Sequence, residues 1–197
     1  TQTIGGQWGD DSHTDGTIPT VCLRGCDMED LRKTGAPRSV PIRYVKQKAI
    51  DSRLPCEKDF LVAASGAGPC GRPLWCAPEV KHLFDAPVIY SNFVKRFSTP
   101  TRGHAIYLDR LLLSKFEDKT IHDFINGTSV PNLDAAGLLS GCMIVLPPSN
   151  VLDSFGRFCA SIYSRLYSKE NILLASLRDA LLPKLISGEL RVGDAAR

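Results

Sequence analysis

The sequence has no leader with a charged start and an apolar core, and no apolar run of spanning length, which argues against a membrane protein. It has no G-x-x-x-x-G-K-[ST] loop, and so no phosphate cradle for ATP. It lacks the Asp/Asn-Pro-Pro-aromatic loop that holds a flipped adenine for N6 methylation; its one Pro-Pro is Leu146-Pro147-Pro148-Ser149. Zinc is poorly served, because Cys22-x3-Cys26 and Cys70-x5-Cys76 lack the usual spacing in both arms and no histidine pair accompanies them. The histidines at 13, 82, 104 and 122 are scattered. Glu57, Lys58 and Asp59 could be imagined in a metal nuclease, but Asp59 reads more simply as the first residue of a strand. The seven cysteines are odd in number and form no compact framework, which points to reduced thiols and a cytoplasmic setting. Internal repeats and low-complexity linkers are also missing. No catalytic or metal site is visible.

What is present is a chain of 197 residues, room for one ordinary domain and an appendage. Hydrophobic residues make up 43% and charged residues 23%, the balance of a folded protein. The net charge of +3 does not announce nucleic-acid binding, but its distribution is uneven. Residues 1–30 carry six acids against Arg24, whereas 31–58 carry Arg32, Lys33, Arg38, Arg43, Lys46, Lys48, Arg53 and Lys58 against Asp51 and Glu57. A local basic patch suits phosphate contact over a limited surface; a solvated charged face is the plain alternative.

Strands are expected at 17–23, 43–45, 59–64, 74–77, 87–97 and 143–146, where β-branched and aromatic residues cluster. Residues 31–42 read as a basic loop punctuated by Gly35, Pro37 and Pro41. Helical spacing marks 105–115 and 120–125. Residues 65–71 contain a literal G-x-G-x-x-G after a strand. A dinucleotide or S-adenosylmethionine loop must open directly into a helix, and Pro69, Pro73 and Pro78 oppose one here. A hairpin, with Arg72 turned towards DNA, is the better reading.

From Ser149 the pattern changes. Pro147 and Pro148 stop the preceding segment, and Ser149 or Asn150 can cap a helix. Apolar residues recur at Phe155, Cys159, Ile162, Leu166, Leu173, Leu177, Leu181 and Leu185, broken by a polar slot at Lys169 and Glu170. Pro183 and Gly188 mark the end. The spacing predicts one helix of about 33 residues, roughly 50 Å long, striped to pack along another.

The string at 177–192, Leu-Arg-Asp then Leu-Leu-Pro-Lys-Leu-Ile-Ser-Gly-Glu-Leu-Arg-Val after Ala180, resembles the C-terminal signature of type I restriction–modification specificity subunits. Further resemblances are Ile-Gly-Gly-Gln-Trp-Gly at 4–9, Leu-Arg-Gly-Cys-Asp-Met at 23–28, Asp-Phe-Leu-Val-Ala-Ala at 59–64 with Lys58 in place of the usual glycine, the strand Pro-Val-Ile-Tyr-Ser-Asn-Phe-Val-Lys-Arg-Phe at 87–97, Gly-Thr-Ser-Val-Pro-Asn-Leu at 127–133, and the apolar run closed by Pro147-Pro148. The likeness is tight at 127–133 and 177–192 and loose at 30–58 and 98–122.

The resemblance implies an α+β chain: a mixed α/β target-recognition domain at 1–148, a conserved helix at 149–188 and a tail at 189–197. It implies a non-catalytic, sequence-specific reader of one half of a bipartite DNA site, directing methylation and restriction by a bacterial or archaeal system. The long helix would pair in an antiparallel coiled coil through Phe155, Ile162, Leu166, Leu173, Leu177 and Leu181, and would dock methyltransferase subunits. Partners would be double-stranded DNA, those subunits, a restriction/translocase subunit, and a second copy or second half of the chain. S-adenosylmethionine, ATP and Mg²⁺ would belong to the partner subunits. Candidate DNA contacts are Arg38, Arg43, Lys46, Arg72, Lys95, Arg96 and Arg102, with Thr128 and Ser129, since arginine and lysine serve phosphates and arginine also serves guanine edges. Full-size members carry two recognition domains and two helices, so the chain reads as a half-size subunit or as part of a longer one with preceding sequence. The competing readings are a methyltransferase or nuclease fragment using residues 66–71, and a protein-interaction adaptor.

Overall fold

The computed structural model describes residues 2–37 and 39–191, and over them the chain is α+β. The centre is β4 (Asp59–Ala63), buried along its whole length. It lies between β5 (Pro73–Trp75) and β7 (Val94–Ser98), and β1 (Gln2–Gly5) closes the far edge, giving the antiparallel order β1-β7-β4-β5. A strand covered on both faces has no use for polar alternation, so Phe60, Leu61, Val62 and Ala63 form a continuous apolar run. Phe60 stacks on Phe97 of β7, with ring centroids 5.2 Å apart.

A second sheet has the order β3-β2-β6. Here β2 (Thr17–Leu23) pairs antiparallel with β3 (Ile42–Lys46) and parallel with β6 (Val88–Tyr90). The short hairpin of β8 (Ile125–Asn126) and β9 (Asn132–Leu133) is the third.

Helix α1 (Gly25–Thr34) follows β2 and removes Met28 and Leu31 from water. Its start is held by the Arg24 backbone N–H, which donates to Asp27 Oδ2 at 2.8 Å. Its end is the left-handed Gly35, φ +79°, whose N–H reaches the Leu31 carbonyl. The expected loop at 31–42 therefore begins inside a helix. Helix α2 (Gln47–Arg53) is a further addition to the expected elements; it places Ile50 in a small cluster with Val45 and Ile89.

The expected strands at 17–23, 43–45, 59–64 and 74–77 are present to within a few residues, and so are the helical segments, as α3 (Arg102–Glu117) and a 3-10 turn at Thr120–Phe124. Residues 87–97 are not one strand. At Ser91 the N–H donates to Leu23 O (2.9 Å), and the Val94 N–H returns to Ser91 O (2.9 Å). That turn sends β6 and β7 into different sheets. Residues 143–146 are not a strand either: no strand lies beside them among the described residues, and Met143 and Val145 are 90% and 84% exposed.

The single long helix is also corrected. Helix α4 (Ala135–Gly141) is followed by α5 (Ser149–Leu166) and then, separately, α6 (Lys169–Ile186). The break falls at Tyr167 and Ser168. Tyr167 is buried and stacks on Tyr163, centroids 6.0 Å apart. The Ser168 hydroxyl donates back to Arg165 O at 2.8 Å, a local bond that competes with helix continuation. Helix α5 lies on α3 of the same chain and buries Leu152, Gly156 and Tyr163. At α6 the described side chains are exposed apart from the partly covered Ala175.

Candidate nucleic-acid interface

Five separated stretches meet around one open cleft of about 460 Å³. They are the turn after β1, the β2–α1 junction, the β4–β5 loop, the β6–β7 turn and the β8–β9 turn. Trp8, Arg24, Cys26, Ser65, Pro69, Ser91, Asn92, Phe93 and Val130 are among its lining residues, and the wall is mostly apolar. Each stretch contains or adjoins a string singled out in the sequence.

Glycines let these stretches come together. The Gly6 N–H donates to Val94 O (3.0 Å) and the Gln7 N–H to Tyr90 O (2.9 Å). A Cβ on Gly6 would sit 2.1 Å from Ser91 O, so nothing larger fits between the turn and the β6 end. Trp8 is thereby seated over the cleft, with the Arg43 guanidinium 4.7 Å from its ring centroid. A Cβ on Gly25 would meet Pro69 Cβ at 2.9 Å, which explains the close approach of α1 to the β4–β5 loop.

That loop is a hairpin between antiparallel strands. Gly66, Gly68 and Gly71 take φ of +107°, +98° and +88°, which glycine adopts without strain. No helix opens from it, so the geometry of a Rossmann phosphate loop is not formed. The Gly66 N–H donates to Pro131 O (3.1 Å), tying the loop to the β8–β9 turn. Gly127 at φ +92° shapes that turn and leaves Thr128, Ser129 and Val130 exposed.

The candidate basic residues are distributed differently from a single patch. Arg43 is largely buried; it pairs with Asp11 and donates to the carbonyls of Trp8 (3.3 Å) and Gly9 (3.0 Å). The hydrogen bond and charge of Arg43 hold the Asp11 carboxyl below its ordinary pKa. Arg72 does not extend to solvent: its side chain is 13% exposed, paired with Glu29 at 2.9 Å and placed over the Phe116 ring. Arg96 donates to Leu54 O at 2.9 Å and lies 3.8 Å from Asp59, while Arg102 pairs with Glu57 at 3.3 Å. Both therefore face the start of β4, the end remote from the cleft. Lys46 is exposed at the end of β3 and Lys95 is half-buried on β7. Arg38 lies outside the described residues. Of the nine candidates, Thr128 and Ser129 belong to a turn that borders the cleft.

Residues that basic-patch reasoning passes over are Trp8, Arg24, Asn92, Phe93 and Val130. Phe93 and Val130 are 57% and 56% exposed. Their signal is present in the sequence, since each lies within a string that resembles the specificity-subunit pattern. The Arg24 side chain is engaged: Nε and Nη2 donate to Asp27 at 3.0 and 2.9 Å, and Nη2 also to Ser39 O. The Ser91 hydroxyl is buried without a hydrogen-bond partner among the described residues. Burial pushes the nearby Cys22 thiol up to about 12, so this cysteine is a neutral core group rather than a nucleophile. No group of three or more His, Cys, Asp or Glu able to hold a metal occurs among the described residues. No described helix is long and apolar enough to cross a membrane.

Among known proteins, the specificity subunit of the type I restriction enzyme MjaIX of Methanocaldococcus jannaschii is similar to this chain. The two are 34% identical over 82 residues, 41% of this chain. The matched stretch spans 19% of that protein's length. No family model matches the chain.

Proposed function

We propose that this chain is a DNA target-recognition module of the specificity subunit of a type I restriction–modification system. The observation that carries the reading is convergence. The strings at 4–9, 23–28, 87–97 and 127–133 are far apart in sequence, and each sends residues to one cleft, the third through Ser91, Asn92 and Phe93. The match to the MjaIX specificity subunit supports it.

On this reading, residues 1–148 recognise one half of a bipartite site, 149–188 form the conserved helical region, and 189–197 are a tail. The packing of α5 on α3 extends the recognition unit to about Leu166, and α6 is the arm that meets a second copy or second half through Leu173, Leu177 and Leu181. Phe155 and Leu166 are partly buried against the globule's own core, so they orient α5, and Ile162 is left exposed for a partner. The chain itself performs no chemistry. Methyltransferase subunits supply S-adenosylmethionine, a restriction/translocase subunit uses ATP and Mg²⁺, and the assembly works in the cytoplasm. Lys46, Lys95, Thr128 and Ser129 are the accessible polar candidates for backbone contacts that position DNA without reading it.

Co-expression with the cognate methyltransferase subunit, followed by mapping of N6-methyladenine in host DNA, tests the assignment. A new gapped motif is expected: palindromic if two copies act together, asymmetric if a different recognition domain completes the subunit. Absence of new methylation, or S-adenosylmethionine binding by the chain alone, overturns it.

A further inference from the structure

The turn that separates β6 from β7 places two dissimilar exposed side chains next to each other at the cleft mouth. Asn92 is exposed, and its amide makes no hydrogen bond among the described residues. Phe93 is 57% exposed although it is aromatic. The backbone beneath them is held: the Ala64 N–H donates to Phe93 O at 2.7 Å, and the Val94 N–H to Ser91 O at 2.9 Å. Val130, also exposed, lines the same cleft from the β8–β9 turn. A free amide beside an apolar notch on a fixed turn is a matched pair of features.

We infer that Asn92, Phe93 and Val130 read an A·T base pair at its major-groove edge. This rests on the DNA-recognition reading above and names the bases that the cleft accepts. An asparagine amide offers one donor and one acceptor in a plane, which matches adenine N7 and N6–H₂. Thymine adds a C5-methyl group to the same groove, and Phe93 with Val130 supplies the apolar surface for it. A G·C pair would ask for a guanidinium fork on guanine O6 and N7. Among the described residues Arg24 is the cation lining the cleft, and its Nε and Nη2 are already engaged by Asp27 and Ser39.

The test is selection of bound duplexes from a random pool by the full chain, with Asn92→Ala, Asn92→Asp and Phe93→Ala run in parallel. The wild type enriches a motif containing an A·T pair that Asn92→Ala relaxes, leaving the other positions intact. Discrimination at that pair falls by about 5- to 150-fold, the range of a good bidentate contact. Asn92→Asp shifts the preference towards cytosine, whose N4 donates to a carboxylate, a gain that misfolding cannot mimic. Replacing the thymine by deoxyuridine weakens wild-type binding by roughly 4-fold, the worth of one methyl group, and leaves Phe93→Ala indifferent. Three results overturn the inference: a motif unchanged in every variant, uniform weakening at all positions, or tighter binding when one base of the pair is replaced by an abasic site, which would mean that the cleft takes the remaining base unstacked. A wild-type chain that enriches no motif overturns the DNA-recognition reading itself.

Discussion

Asp109 sits fully buried where α1, α3, β5 and α5 meet. One oxygen accepts from Arg32 Nη2 at 2.5 Å, and the other from the Tyr163 hydroxyl at 3.2 Å. Arg32 also donates to Pro73 O at 2.8 Å. Burial works against the Arg32 charge, yet the charge and hydrogen bond of Asp109 outweigh it, and the guanidinium pKa ends above its ordinary value. Removing one partner of such a pair leaves the other buried and unpaired, so Asp109→Ala is expected to cost about 3–5 kcal/mol in urea unfolding. A loss below about 1 kcal/mol would remove this pair from any structural role. A second residue-scale prediction concerns alkali. Burial raises Cys22 from 9.0 to about 12 and Tyr90 from 10.0 to about 12. Both groups are neutral when protonated, so the folded state holds its protons more tightly than the unfolded one. Their contribution is complete below pH 9.0 and is lost as pH rises towards 12. Denaturation midpoints should therefore fall steeply above pH 9, and a flat profile from pH 8 to 11 would contradict this. Native labelling by a thiol reagent should start at exposed Cys26 and Cys56 and reach Cys22 and Cys76 on unfolding.

Helix α5 reaches the globule through a contact that no side chain could enter. A Cβ on Gly156 would lie 2.8 Å from Gly103 Cα, and one on Gly103 would lie 2.5 Å from Leu152 O. Backbone meets backbone there, so neither helix can yield without moving as a whole. Gly156→Val is expected to lose about 1–3 kcal/mol by overpacking and to loosen α5. Thermal unfolding measures the first effect, and faster amide exchange across 149–166 the second; unchanged exchange would mean that α5 is held elsewhere. The same crossing explains why the apolar stripe of 149–186 does not make one rod. Its periodicity is real on both sides of Ser168, but the first half answers to α3, whereas the second half leaves Leu173, Leu177, Leu181 and Leu185 more than 40% exposed. The polar slot at Lys169 and Glu170 is the visible trace of that change.

Across the whole molecule, the described side chains of α6 leave Leu173, Leu174, Leu177, Leu181, Leu182 and Leu185 each more than 40% exposed. A helix of 18 residues spans about 27 Å, enough for an extended pairing surface. Leu173→Glu with Leu181→Glu should convert a self-associating chain to a monomer in sedimentation, without loss of the near-ultraviolet signal of the globule. An unchanged mass would rule out this face as the contact. DNA affinity should fall linearly on a log–log plot against salt, since phosphate contacts release counterions. A salt-independent association would point to an adaptor.

Part of the fold is legible in the amino-acid order alone. Phe60, Leu61, Val62 and Ala63 mark a strand in the sequence, and its burial along the whole length is seen only in the fold. The prolines around 65–78 exclude a helix after the G-x-G-x-x-G string, because proline cannot supply the helix N–H groups that such a loop needs. The capping of α1 by Asp27 and Gly35 is also written in the sequence and is masked by the basic residues between them. Tertiary structure decided what depends on non-local pairing. It decided that Ser91 turns the chain from one sheet into another, because Leu23 O waits for its N–H. It decided that Arg43, Arg72 and Arg96 serve Asp11, Glu29 and Asp59, carboxylates distant in sequence. And it decided that Asn92 and Phe93 stand free at the cleft mouth. Local strings set which segments can extend, turn or coil; which charge is left unpaired is settled when distant segments pack.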